Sequence, residues 1–202
     1  MKLVILTQPK FFVEEDKIIS ALFDEGLDML HLQKPDSEPV YCERLLSLLP
    51  NDCYNKIRVH EHYYLKQEFD LKGIHINNPD APVPDDFKRN VTRSTYRISD
   101  LKEMKKKSDY VCLHSLFDSL HNEDEKASLT IKEMEEARNK GLIDKHVYAM
   151  GGMSIENIHV AKELGFGGVC ICGDLWNRFS IQHELNFKDL IEYFRKLRKA
   201  VN

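Results

Sequence analysis

Little in this 202-residue sequence is extreme, and what it lacks narrows the field first. No window approaches the roughly 18 apolar residues of a membrane span, and the N-terminus MKLVILTQPK has no signal-peptide apolar core. A cytoplasmic chain without a membrane partner is the expectation. Positive charge is not in excess either: 29 Lys and Arg against 33 Asp and Glu leave a formal charge of −4, which argues against a nucleic-acid partner. The one basic run, Lys105-Lys106-Lys107, reads as a solvated helix end. Five cysteines are an odd number, and none forms a C-x-x-C pair, so metal knuckles are disfavoured. Cys112, Cys170 and Cys172 lie inside apolar runs and read as buried, reduced thiols. No repeat, low-complexity stretch or linker divides the chain, and its length suits one domain with a full core.

What is present is a rhythm. Short apolar runs recur at Leu3–Leu6, Met29–Leu32, Ile57–Val59, Gly73–Ile76, Val91–Ser94, Tyr110–Leu113, Val147–Met150 and Gly168–Cys172. Between most of them lie stretches of helical periodicity: Lys17–Phe23, Pro39–Leu49, Ile98–Lys107, Thr130–Lys140, Ile155–Leu164 and the closing Phe187–Val201. Pro39 and Ser154 look like helix starts, and Gly26, Gly141 and Gly165 like stops. Strands that alternate with helices pair in parallel, because each crossover needs a dozen or more residues. Eight such units predict a single-domain (β/α)8 barrel; a flavodoxin-like open sheet, usually with fewer strands, is the runner-up. The fourth unit is the weakest, since residues 77–90 hold three prolines and room for one helical turn.

The richest stretch runs from Val147 to Trp176, VYAMGGMSIENIHVAKELGFGGVCICGDLW. One strand ends in Gly151-Gly152 and the next in Gly173-Asp174. Glycines let backbone N–H groups approach an anion closely, and barrels commonly hold phosphate in the loops after their last two strands. The sequence therefore predicts a barrel acting on a phosphorylated small molecule.

Read together, the strand ends resemble the thiamine phosphate synthase family, which includes related thiazole tautomerases. LHLQKPD stands where the family has Q-L-R-x-K, and GIHINNPD matches G-V-H-L-G-Q-x-D at Gly73, His75 and Asp80. Ser94-Thr95-Tyr96 stands at the family's Ser-x-His, AMGGM at A-I-G-G-I, and GFGGVCICGDL at the final strand motif. The likeness implies a transferase joining a hydroxymethylpyrimidine diphosphate to a thiazole phosphate with release of pyrophosphate, Mg²⁺ being the cofactor. It places thiazole phosphate on the backbone of Gly151, Gly152, Cys172 and Gly173, and Mg²⁺ on Glu61 and Asp80. Gln33, Lys34, His60, Ser94 and Ser119 would line the pyrimidine diphosphate side, with His121 and Asn122 in the loop after the sixth strand. Lys34, Ser94 and His114 are the catalytic candidates. Association into a homo-oligomer is left open.

The departures are chemical. The family arginine falls on Gln33, and the loop P-T-x-T-K becomes DSLHN, so Asn122 replaces a lysine. Two positive charges are thus lost from a diphosphate site, each worth about 1.5–3 kcal/mol of charge-assisted binding. Histidines accumulate instead: His31, His60, His62, His75, His114 and His121 fall at or near strand ends or inward positions. His62 reads as solvent-facing and His75 as compatible with a core role. Such a set suits proton transfer, as in the tautomerase branch, and also a transition metal. A non-catalytic binder that keeps the phosphate cradle is the third reading.

Overall fold

The computed structural model describes residues 1–120, 126–178 and 187–202. Eight parallel strands close into a barrel in sequence order: β1 (Lys2–Leu6), β2 (Met29–Leu32), β3 (Ile57–Val59), β4 (Gly73–Ile76), β5 (Val91–Thr95), β6 (Val111–Leu113), β7 (Val147–Ala149) and β8 (Gly168–Ile171). β8 returns to β1 with Leu3 opposite Val169 and Ile5 opposite Ile171, so no sheet edge is left open. Strands covered on both faces are mostly apolar, which is why most of them read as short continuous runs. β5 (VTRST) is the clearest exception, its buried polar residues facing partners inside the barrel and beside it. The expected (β/α)8 architecture holds, and all eight strands fall where the apolar runs placed them.

The helices are less regular. α1 (Glu15–Asp24) buries Ile18, Ile19, Leu22 and Phe23, and α2 (Pro39–Leu48) starts on its proline. After β3 comes a single turn, α3 (Leu65–Glu68). After β4 no helix forms among residues 77–90, where prolines withhold backbone donors. The periodic stretch Ile98–Lys107 breaks into two 3₁₀ turns around α4 (Leu101–Met104). Its Lys105 is not simply solvated: the ammonium meets Asp144 and two backbone carbonyls. α5 (Ile131–Asn139) opens on a capping box between Thr130 and Glu133.

α6 (Ile158–Glu163) begins four residues after Ser154, the expected start. The Asn157 side chain explains the delay: it accepts the Ser154 N–H at 2.8 Å and donates to the Gly152 carbonyl at 2.9 Å, holding the segment in a turn. α7 (Gly173–Trp176) is one turn after β8. α8 (Phe187–Val201) buries Leu190, Ile191, Phe194, Leu197 and Val201 along one stripe. It also receives the N-terminal ammonium of Met1 on the Val201 carbonyl at 2.9 Å, so both chain ends close the barrel together.

Inside the barrel, Val4, Leu6, Tyr110, Cys112, Met150 and Cys170 pack as a separate cluster. The N-terminal end is plugged by the buried Arg58, which donates to the Asn90 carbonyl at 2.7 Å and pairs with Asp109. The opposite end is where a ligand can enter.

Candidate active site

At the C-terminal ends of the strands lies a cavity of about 440 Å³. The residues that meet there follow the strands directly: Gln33 after β2, Asn77 after β4, Ser94 near the end of β5, His114 after β6, Gly151 and Gly152 after β7, and Cys172 and Gly173 after β8. Ser119, from the loop after β6, completes one wall. Among the described residues that line the cavity, none is charged at neutral pH.

The glycine wall is fixed by close approach. Gly151 and Gly152 adopt φ of 89° and 63°, a region that L side chains rarely enter. A Cβ on Gly151 would stand 2.8 Å from the Ser115 Cα, and one on Gly152 would stand 2.2 Å from the Asp118 carbonyl oxygen. The loops after β6 and β7 therefore touch through backbone, with no room for a side chain. Asp174 ties the wall to the outer helices: its carboxylate accepts the Ile155 N–H at 3.0 Å and the Tyr193 hydroxyl at 2.8 Å. Cys170 and Cys172 both reach the cavity, with Cys170 Sγ lying 3.7 Å from Cys112 Sγ, and the cysteines are free thiols.

The opposite wall rests on histidines joined into two hydrogen-bonded chains. In the first, His60 Nδ1 meets Asn77 Oδ1 at 2.8 Å, His60 Nε2 meets His31 Nδ1 at 2.9 Å, and His31 Nε2 meets the Tyr110 hydroxyl at 2.5 Å. With the Asn77 oxygen as acceptor, one direction satisfies every atom. His60 Nδ1–H donates to Asn77, His31 Nδ1–H donates to His60 Nε2, and the Tyr110 O–H donates to His31 Nε2. In the second chain, Thr92 donates to the Ile74 carbonyl at 3.3 Å and meets His75 Nδ1 at 2.9 Å. His75 Nε2 meets Ser94 Oγ at 2.8 Å, and His114 Nε2 reaches the same Oγ at 3.1 Å. Thr92 being a donor to Ile74, His75 Nδ1–H donates to it, Ser94 donates to His75 Nε2, and His114 donates to Ser94.

Both chains work with neutral rings. Burial holds His31 and His75 well below the ordinary histidine range, and neighbouring His60 adds to the effect on each. Burial brings His60 down to about 3, the Asn77 bond opposing it, and brings His114 down to about 4. Burial also raises the Tyr110 phenol well above its usual value, so it stays a donor. Ser94 and His114 thus offer a hydroxyl and an imidazole at the cavity wall, backed by His75 as a proton acceptor.

The sequence-based candidates separate into those on the cavity and those off it. Gln33, Ser94, His114, Ser119, Gly151, Gly152, Cys172 and Gly173 line it. His60 lies beneath it and touches it only through Asn77. Lys34 neither swings into the site nor stays exposed: it is fully buried, with its Nζ 2.6 Å from Glu15 and 4.4 Å above the Phe11 ring. Two consecutive strand-end residues face opposite ways, so Gln33 at the cavity sends Lys34 outward. Glu61 Oε2 accepts the Lys34 N–H at 2.9 Å, and burial raises its carboxyl pKa. Asp80 is exposed and paired with Arg97 at 2.6 Å, and neither Glu61 nor Asp80 lines the cavity. His62 is half-buried rather than solvent-facing and bonds the Ser37 carbonyl at 2.9 Å. His121 and Asn122 lie outside the described residues. Asn77, Thr92 and Tyr110 were missed. Only their register inside the barrel reveals them, as with Thr92 opposite His75 on the neighbouring strand.

Comparison with known proteins agrees with this geometry. The family model for thiamine monophosphate synthase matches residues 4–175. A thiamine phosphate pyrophosphorylase from Bacteroides thetaiotaomicron has a crystal structure that is 42% identical. It superposes with a TM-score of 0.90, covering 99% of this chain and 97% of the other. A thiamine phosphate pyrophosphorylase from Pyrococcus furiosus, 17% identical, gives a TM-score of 0.73 over 99% and 95% of the two chains and shares the fold. Curated protein sequences give no match. With the profile spanning most of the barrel and its glycine turn, the chain belongs to the thiamine monophosphate synthase family.

Proposed function

We propose that this protein is a thiamine phosphate synthase-like transferase, joining a hydroxymethylpyrimidine diphosphate to a thiazole phosphate with release of pyrophosphate. The observation that carries the reading is the backbone-on-backbone glycine wall at Gly151 and Gly152, which leaves a Cβ-free surface for a phosphate at the mouth of a barrel of this family. Thiazole phosphate would rest on Gly151, Gly152 and the Cys172-Gly173 backbone. The pyrimidine would face Gln33, Ser94 and Ser119. Ser94 is oriented by His75 and His114, which leaves its hydroxyl as a fixed partner for a ring amine. With substrates held in contact, positioning lowers most of the barrier and no protein nucleophile is required.

Carboxylates are hard oxygen donors of the kind Mg²⁺ selects, but neither Glu61 nor Asp80 lines the cavity as it stands. To hold the ion, Glu61 would have to release the Lys34 N–H, Asp80 would have to release Arg97, and both would have to turn toward the diphosphate side. Bound there, Mg²⁺ would offset the charge of the departing diphosphate. Asp80→Ala is expected to abolish Mg²⁺-dependent turnover, and turnover that persists in this variant would rule the assignment out.

A second reading, a thiazole tautomerase-like isomerase, is favoured by the uncharged cavity lining and by the His114–Ser94–His75 chain, which can accept a proton and return it. One coupling assay separates the readings: both substrates with Mg²⁺, following thiamine phosphate and pyrophosphate together. The synthase reading expects equimolar formation of both products. Metal-independent isomerisation of a thiazole carboxylate phosphate that is lost in His114→Gln supports the tautomerase. Neither activity, with saturable thiazole phosphate binding, identifies a binder.

A further inference from the structure

Beneath the cavity, three histidines from adjacent strands converge inside the barrel: His31 on β2, His60 just after β3 and His75 on β4. Their ring centroids lie 4.9, 4.9 and 4.3 Å apart, and one ring nitrogen from each falls within 4.8 Å of the other two. We propose that these three imidazoles form a binding site for a borderline divalent cation such as Zn²⁺ or Co²⁺, distinct from the carboxylates considered for Mg²⁺.

Four observations carry this. First, all three rings are buried inside the barrel, each bringing one ring nitrogen to the same small region. Second, each ring is oriented by a separate partner: His60 by Asn77, His31 by Tyr110 and His75 by Thr92. Metal-binding histidines are held in this way, the outer nitrogen fixing tautomer and ring plane. Third, three nitrogen donors with no carboxylate among them suit zinc, cobalt, nickel or copper and not the oxygen-seeking Mg²⁺. Fourth, Ser94 links His75 to the cavity, so the cluster can be reached from the side where a fourth ligand would enter.

Binding asks for a rearrangement: the His60 and His75 rings, stacked with their planes 21° apart, must rotate so that both in-plane lone pairs point to one ion. The His31 Nδ1 to His60 Nε2 separation of 2.9 Å must open to about 3.3 Å, the spacing of two nitrogens about 2.0–2.1 Å from a tetrahedral zinc. The proton on His31 Nδ1 moves to Nε2, Tyr110 turns from donor to acceptor, and the Ser94 hydroxyl gives up its bond to His75 Nε2 to free that lone pair. Arg58, a cation whose charge reaches His31 and His75, sits over the Tyr110 ring at 5.4 Å and is paired with Asp109. The inference does not depend on the transferase reading, because it can be tested with metal alone.

The full chain, stripped with a chelator, is titrated with Co²⁺ and then with Zn²⁺. We expect one Co²⁺ per chain with the visible absorption of a tetrahedral site, displaced by Zn²⁺ and untouched by millimolar Mg²⁺. His60→Gln should weaken binding about 100-fold or more, and Asn77→Ala about 10–100-fold. The exposed His146 and His159 provide the control: His146→Gln with His159→Gln should bind as the parent does. Should His60→Gln not fold, the parent decides alone, through Zn²⁺-induced shifts of the His31, His60 and His75 ring nitrogens in NMR spectra. The proposal is overturned by the absence of a Co²⁺ site, by undiminished binding in a folded His60→Gln, by loss in the surface double variant, or by unshifted ring nitrogens.

Discussion

The buried histidines should make this barrel sensitive to acid in a way that can be calculated. His31, His60 and His75 are no more than 4% exposed and are held below the ordinary value of 6.5 by burial, His60 as low as about 3. In the unfolded chain all three titrate near that ordinary value. As pH falls through it, the unfolded chain takes up protons that the folded chain refuses, and folding stability declines. From about pH 7.5 to about pH 5 each ring costs about 2 kcal/mol, and His114, brought down to about 4 by burial, adds as much, or about 8 kcal/mol for the four.

Two carboxyls, Glu15 and Glu61, work in the opposite sense. Glu15, raised by burial to about 7 despite Lys34 beside it, takes up its proton in the folded chain before the unfolded one does. Its contribution is present at low pH and fades as pH rises through 7, returning about 2 kcal/mol over the same interval. The acids held low by their partners, among them Asp28, Asp100 and Asp144, act only below the usual carboxylate range, outside this window. Glu61, also raised by burial, reduces the loss in the same way as Glu15. The net expectation is a loss of up to about 6 kcal/mol, a large share of the roughly 5–15 kcal/mol that keeps a domain folded. Urea unfolding at the two pH values, followed by circular dichroism, measures it. Equal or greater stability at the lower pH would refute the reasoning, since it would mean that the native core already holds a proton, for instance as a His31–His60 imidazolium pair.

Three further outcomes are expected. Gly152→Val places a branched side chain where Cβ alone meets the Asp118 carbonyl at 2.2 Å, at a φ of 63°. Thiazole phosphate affinity should fall at least about tenfold by calorimetry, about 1.4 kcal/mol, and unchanged affinity would remove the cradle. Lys34→Met leaves Glu15 buried without its cation, Oε2 already lacking a partner. With the Glu15 pKa already about 7, protonation relieves the loss at neutral pH, so denaturant unfolding should show a loss of about 2 kcal/mol near pH 8.5, shrinking near pH 5; an unchanged midpoint near pH 8.5 contradicts the buried pair. Thr130→Ala cuts the capping box of α5, far from the cavity. It should cost about 1 kcal/mol, seen as a melting temperature about 2–4 °C lower, with ligand binding intact.

How much was legible in the sequence depends on the range of the interactions involved. The eight strands could be read because a barrel strand is covered on both faces, so burial writes itself into consecutive residues such as Leu3–Leu6 and Val169–Ile171. The Gly151-Gly152 turn could be read because its constraint is local backbone geometry. Helix limits were read less well where one side chain overruled periodicity, as Asn157 does in delaying α6.

What only the tertiary structure decided is the partnership of residues far apart in the chain. Nothing near Lys34 in sequence announces Glu15, 19 positions away, and the pair removes that lysine from the cavity. Nothing near His31 announces Tyr110, 79 positions on. The sequence supplied histidines at the right strand ends. Barrel closure set their register, and register determined that His60 and His31 bond each other while Ser94 and His114 face the cavity. Apolar burial and glycine geometry are properties of a short segment and survive in the sequence, whereas charge pairing and proton order depend on which strands become neighbours.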